Sequence, residues 1–182
     1  MQKTSCLVLI VGLLTAACSH NTATESPAAV ATLKDASGRD IGSAEFRSAN
    51  QGVAVRIRVS GLSAGSHGVH IHAVGTCDGA TTVAFSSAGG HFNPTSKQHG
   101  RLNPAGPHVG DLPNIVVDAS GNGTLEATSE SLTLTDGQTA ILDADGSAVI
   151  VHANQDDERT DTGPSGPGNS GARVACGVVR RS

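Results

Sequence analysis

The sequence predicts an all-β domain: an eight-stranded Greek-key β-barrel or sandwich of immunoglobulin-like type, interrupted by two long functional loops. Three observations carry this expectation. Gly is abundant at 23 residues while Trp and Tyr are absent, and the apolar content comes mostly from Val, Ala, Leu and Ile, a mix suited to short strands joined by turns. Val53, Val55, Ile57 and Val59 alternate with Ala54, Arg56, Arg58 and Ser60, the period of two of a strand with one core face and one wet face. No stretch carries a convincing helical period.

The chain opens on Lys3, an apolar run from Cys6 to Leu14 and the small residues Thr15-Ala16-Ala17 ahead of Cys18. Residues 1–17 read as a signal peptide, since the apolar run is too short to span a membrane. The junction Leu14-Thr-Ala-Ala-Cys18 resembles a bacterial lipoprotein signal, in which Cys18 is lipidated and becomes the first residue of the mature chain. The alternative is ordinary cleavage at the small residues, with Cys18 left as a spare thiol. Residues 18–28 then form the lipidated cysteine and a polar, flexible tether. Residues 29–182 are one domain, because the length leaves no room for a second sizeable core. The expected location is outside the cytoplasm, in the periplasm or at the cell surface, with a lipid anchor at Cys18 holding the domain to a bacterial membrane.

The remaining strands are placed by turn chemistry. Ala31–Lys34 and Ile41–Phe46 flank Asp35-Ala-Ser-Gly38 as a hairpin, and Ile115–Asp118 and Thr124–Thr128 flank Ser120-Gly-Asn-Gly123 likewise. Gly68–His72, Ala148–His152 and Val174–Val179 complete a set of roughly eight. Between them lie Ala73–Leu112 and Ala153–Ala172, both rich in Gly, Pro, Ser and Asn. Loops this long in a compact domain are functional or disordered. The first contains His91, His99, His108 and Cys77, and the second follows directly on His152, which favours function.

Side chains alternate across a strand, so in Ser66-His-Gly-Val-His-Ile-His72 the rings of His70 and His72 share one face and His67 joins Val69 and Ile71 on the other. His70 and His72 can converge on one ion; His67 reads as a hydrogen-bonded interior histidine. His91, His99, His108 and Asp111 form a set of three imidazoles and one carboxylate without thiolate, which suits tetrahedral zinc. His152, at a strand end, can add to His70 and His72, and a mainly imidazole set suits Cu(II). Loss of Cys6 with the leader and commitment of Cys18 to lipid leave Cys77 and Cys176, an even pair that implies one disulfide in an oxidising compartment; two buried free thiols are the alternative.

From about Ala31 to Val179 the residues resemble the copper/zinc superoxide dismutase family. The blocks that carry the resemblance are Gly-x-His-Gly-x-His-x-His at Gly65–His72, Gly-His-Phe-Asn-Pro at Gly90–Pro94, His99-Gly100, His108-Val-Gly-Asp-Leu112 and Gly171-Ala-Arg-Val-Ala-Cys-Gly177. The resemblance implies one copper per chain at His70, His72, His91 and His152, and one zinc per chain at His91, His99, His108 and Asp111, with His91 bridging both. It implies that Asp156 hydrogen-bonds one ligand histidine from each site. It also implies that Arg173, three residues before Cys176, holds its guanidinium over the copper to attract an anion. The implied reaction converts two superoxide anions and two protons into dioxygen and hydrogen peroxide as copper cycles between Cu(II) and Cu(I). In the family His91 supplies a proton and zinc is structural. The segment Thr162-Gly-Pro-Ser-Gly-Pro-Gly168 departs from the charged residues that family members place before this Arg, so no steering residue is assigned there. The resemblance allows a homodimer as well as a monomer.

Charge agrees with a small-anion substrate only locally. Removing Lys3 with the leader takes Lys+Arg from 12 to 11 against 16 acidic residues, a net charge near −5. Attraction must therefore come from local arrangement. The same balance argues against a nucleic-acid partner.

Overall fold

The structure is a computed structural model that describes residues 28–163 and 166–182. The expected leader, Cys18 and the tether through residue 27 lie outside the described residues. Ten strands are present among the described residues: β1 Ala29–Lys34, β2 Asp40–Ser48, β3 Val53–Val59, β4 Gly65–His67, β5 Val69–His72, β6 Ile115–Val117, β7 Gly123–Ser129, β8 Ala148–His152, β9 Arg173–Val178 and β10 Arg180–Arg181. Hydrogen bonding runs in the order β4-β6-β7-β3-β2-β1-β9-β8-β5, with β10 on β1, and each of these strand pairs is antiparallel. The two ends of this order, β4 and β5, are consecutive in the chain, so the sheet curls back on itself into a nearly closed Greek-key barrel.

The count differs from the expected eight at two places. β10 is a two-residue strand against the start of β1. The expected strand through His72 divides at Gly68: β4 pairs with β6 while β5 pairs with β8. Gly68 N instead donates to Asn154 O at 2.8 Å, and Gly68 O accepts from His152 N at 2.9 Å. The partner change at Gly68 is what closes the barrel.

The alternation read in β3 holds residue by residue: Val53, Val55, Ile57 and Val59 are buried and the residues between them half-exposed. On the outer face Arg56 stands opposite Glu126 and pairs with it at 2.8 Å, and Arg58 reaches Glu45 at 3.0 Å. Cross-strand pairs of this kind add a few tenths of a kcal/mol to about 1 kcal/mol each.

Two strands depart from one-sided burial. In β8 every residue is buried. Val149 and Val151 face the main core, with Leu33, Phe46, Ile57 and Ile115. Ala148 and Ile150 face a second cluster with Phe85, Ala88 and Cys176. That cluster lies beneath the segment that follows β5, which the Cys77–Cys176 disulfide fastens to β9. β5 is also wholly buried; Val69 and Ile71 enter the main core while His70 and His72 turn under the long loops. The fully apolar run Ala148-Val-Ile-Val151 thus reflects two covered faces.

Candidate metal centre

β5 has β8 on one side and the first long loop on the other. The loop docks by Ile71 N donating to Gly110 O (2.9 Å), Phe92 N to Ile71 O (2.8 Å) and Leu112 N to Val69 O (3.2 Å). This register sets His70 opposite Asp111 and His72 opposite His91. Gly110 permits the approach: a Cβ there would stand 2.3 Å from Ile71 O.

The docking produces two clusters. The donor atoms of His70, His72, His91 and His152 all lie within 4.8 Å of one another. Their tautomers follow from their partners. His72 Nδ1 donates to Gly89 O at 2.9 Å, His152 Nδ1 to Gly171 O at 3.1 Å, and His70 Nε2 to Asp156 Oδ2 at 2.6 Å. The remaining nitrogens, His70 Nδ1, His72 Nε2 and His152 Nε2, are buried and have no hydrogen-bond partner among the described residues. A buried polar atom left unpaired costs about 1–3 kcal/mol; three at one place fit a metal ion that accepts their lone pairs.

Burial, and the neighbouring His91, push His70 down to about 3, and burial first, with His91 and Arg173 among further causes, holds His72 well below the ordinary histidine value. Burial lowers His152 to about 4, and His91 is lowered chiefly by burial. All four rings are therefore neutral near pH 7, the state in which imidazole binds metal.

The second cluster centres on Asp111. Its Oδ1 stands 3.0 Å from His91 Nδ1, 3.1 Å from His99 Nδ1 and 3.3 Å from His108 Nδ1, and His108 Nδ1 is 3.4 Å from His91 Nδ1. Four ligands at zinc–nitrogen and zinc–oxygen distances of about 2.0–2.1 Å span a tetrahedron with edges of about 3.3 Å. The observed separations match. Asp111 Oδ2 accepts from Gly100 N at 2.9 Å and His108 N at 3.0 Å. Burial works against its charge, yet these donors and the three rings hold the carboxyl far below the usual carboxylate range. His70 also lies within reach of this cluster. Its commitment of Nε2 to Asp156 and its unpaired Nδ1 place it with the first.

His91 belongs to both. Its Nδ1 faces Asp111 and His108, which leaves Nε2 for the cluster of His70, His72 and His152. Asp156 joins the clusters from behind, accepting from His70 Nε2 at 2.6 Å and from His99 Nε2 at 3.0 Å. Burial opposes ionisation of Asp156, but both rings hold it well below the usual range. For His99, burial favours the neutral ring, while Asp111 and Asp156 together raise it to about 9.

Arg173, the first residue of β9, is half-buried. Its Nη1 donates to Phe85 O at 2.6 Å and its Nη2 to Gly89 O at 2.7 Å. Together with His72, His91, His108 and His152 it lines a cavity of about 200 Å³. His67 lies outside both clusters, with Nδ1 2.8 Å from His152 O and Nε2 2.9 Å from Ser63 O, an interior histidine that braces the backbone of His152.

Three supports carried no sequence signal. Asn114 holds the Asp156 backbone, its Nδ2 donating to Asp156 O at 2.9 Å and its Oδ1 accepting from Asp156 N at 2.8 Å. Gly168, at φ +64°, lies where a Cβ would stand 2.0 Å from Asp156 Oδ1. The Phe85 and Gly89 carbonyls hold Arg173. All three act across separations that no local pattern encodes.

Known proteins resemble this chain. The sequence profile described as "Copper/zinc superoxide dismutase (SODC)" matches residues 41–179. Superoxide dismutase [Cu-Zn] 2 of Aquifex aeolicus is 40% identical over 152 residues, 82% of this chain and 85% of the relative. Superoxide dismutase [Cu-Zn] of Caulobacter vibrioides is 41% identical over 155 residues, 84% of this chain and 85% of the relative. Among solved structures, a SOD-like protein from Bacillus subtilis superposes with a TM-score of 0.74 at 39% identity, covering 82% of this chain and 96% of that one. Cu/Zn superoxide dismutase from Brucella abortus gives a TM-score of 0.66 at 27% identity, covering 83% and 98%. With the barrel, the two linked histidine clusters and these relatives in agreement, the chain belongs to the copper/zinc superoxide dismutase family.

Proposed function

We propose that this protein is a superoxide dismutase that converts two superoxide anions and two protons into dioxygen and hydrogen peroxide. The observation that carries it is the trio of buried, unpaired nitrogens on His70, His72 and His152 beside the cavity lined by Arg173. One copper per chain would be held by His70, His72, His91 and His152, and one zinc by His91, His99, His108 and Asp111. Bound copper supplies the one-electron cycle between Cu(II) and Cu(I), and zinc, with no second oxidation state, supplies charge and geometry alone.

The chain's own residues do the rest. Arg173 presents a fixed guanidinium to the anionic substrate in the cavity, where a local cation outweighs the acidic charge of the whole protein. His91 keeps Nδ1 toward Asp111 and His108, so the proton it would take up and deliver to the peroxide product sits on Nε2 when that nitrogen is free of metal. Asp156 fixes the rings of His70 and His99 together and so couples the geometry of the two sites.

The purified domain is expected to contain one copper and one zinc per chain and to consume superoxide with cyanide sensitivity. Full metal loading without turnover would make it a metal-binding member of the family instead.

The N-terminal sequence supports a further reading: residues 1–17 as a bacterial export signal, Cys18 as the lipidated first residue and residues 18–28 as the tether of a periplasmic or surface enzyme. The domain would then act on extracytoplasmic superoxide beside its membrane. Mass spectrometry of the native N-terminus tests this; a free Cys18 thiol or a retained leader overturns it.

A further inference from the structure

Each histidine of the proposed zinc site has its Nε2 directed at something. That of His91 is left for the other cluster, and that of His99 donates to Asp156 at 3.0 Å. His108 Nε2 faces Asp161, whose Oδ1 lies 3.9 Å away, and among the described residues this is the only carboxylate within 4.0 Å of that nitrogen. The same oxygen accepts the backbone N–H of His99 at 2.6 Å. One carboxylate thus bonds the backbone of one zinc-side histidine and stands 3.9 Å from the ring of another.

We propose that Asp161 is a positioning residue for His108, keeping the ring proton on Nε2 so that Nδ1 presents its lone pair to the zinc that would lie beside Asp111. The proposal rests on the zinc site described above. A neutral imidazole can carry its proton on either nitrogen, and a negative oxygen facing Nε2 favours the proton there. His108 has the greatest need of such help. Its side chain is 11% exposed, against 0% for His99, 6% for His91 and 1% for Asp111, so packing constrains it least. Asp161 is anchored for the task by the short bond from His99 N, and its segment is tied to the loop of His99 and His108 by Arg101 on Glu158 at 3.1 Å and by Leu102 N on Glu158 O at 2.8 Å. Asp156 and Asp161 are then two carboxylates of one loop, five positions apart, each standing behind a different zinc histidine.

Asp161→Asn removes the charge but keeps an oxygen for the His99 amide, whereas Asp161→Ala removes both. Carboxylates behind metal-binding histidines change metal affinity by about 10–100-fold, and Asp161, 41% exposed, belongs at the lower end. Zinc release from the copper- and zinc-loaded protein to excess chelator is expected to be about tenfold faster in Asp161→Asn, with partial rescue in Asp161→Glu. In ¹⁵N-labelled loaded protein the His108 Nε2–H resonance should shift and exchange faster in the variant. The His99 Nε2–H resonance, held by Asp156, should stay in place as the internal control. Faster release with an unmoved His108 resonance, or unchanged release, overturns the proposal. A wild-type protein that takes up no zinc overturns the zinc-site reading itself, a different result from a wild-type protein that holds zinc and is insensitive to Asp161.

Discussion

Arg173 and His72 donate to the same acceptor: Arg173 Nη2 and His72 Nδ1 meet Gly89 O at 2.7 and 2.9 Å. The Arg173 guanidinium and the His72 ring are thereby aligned on one peptide group. Arg173→Ala is expected to leave metal content intact, because His72 keeps its acceptor. Turnover of superoxide should fall about 10–1,000-fold, the range by which a local charge raises the arrival rate of an oppositely charged substrate. Metal analysis beside a superoxide-decay assay checks this. An inactive, metal-free variant would contradict the role.

The segment carrying Phe85 and Gly89 is fastened by the Cys77–Cys176 disulfide, which spans 99 positions. Loop-closure entropy for a loop of about 100 residues amounts to about 4–5 kcal/mol. Cys77→Ser should lose a comparable amount in denaturant unfolding. It should also lower activity at temperatures where the protein remains folded, since the carbonyls that hold Arg173 are then free to move.

His91 lies in both clusters, whereas His152 and His108 each lie in one. His91→Ala should deplete both metals, His152→Ala copper alone and His108→Ala zinc alone, as read by elemental analysis of each purified variant. Retention of full copper and zinc by His91→Ala would show that the ring does not bridge.

Gly168 caps the Asp156 bridge. At φ +64°, a Cβ there would stand 2.0 Å from Asp156 Oδ1 and 2.7 Å from His99 Nε2. Gly168→Ala should cost more than about 2 kcal/mol and weaken both sites together. Gly137, also at positive φ (+77°) but with nothing within 4 Å of its Cβ position, serves as the control. There the same change should cost about 1 kcal/mol, the backbone penalty alone.

Asp35 organises the β1–β2 turn, accepting from Ser37 N and Oγ and from Arg39 N and Nε at 2.6–3.1 Å. The Ser37 hydroxyl, followed by the other donors against some desolvation, lowers its carboxyl from 3.8 to about 2. A depressed folded-state value means stability that is present above the unfolded value and lost as pH falls through the folded one. Wild type should therefore exceed Asp35→Asn in stability at neutral pH. The difference should shrink between about pH 4 and pH 2, as followed by unfolding at a series of pH values.

Much of the molecule could be read without coordinates. A period of two is imposed by strand geometry itself, so Val53–Val59 announced a strand with one buried face. The turns at Asp35–Gly38 and Ser120–Gly123 depend on a few adjacent residues, and the pairs His70 with His72 and His108 with Asp111 lie within short blocks. The division of β4 from β5 at Gly68 was not legible, because pairing partners are chosen among distant segments and no residue there names its partner.

The all-β class, the imidazole-rich donor chemistry and the even pair of cysteines follow from residue type and local spacing. Which nitrogen of each ring is free, the sharing of Gly89 O by Arg173 and His72, and the place of Asp161 beside His108 came from the packed fold. Those depend on where hydrogen-bond partners fall when segments tens of residues apart are packed together, and a linear pattern does not carry that information.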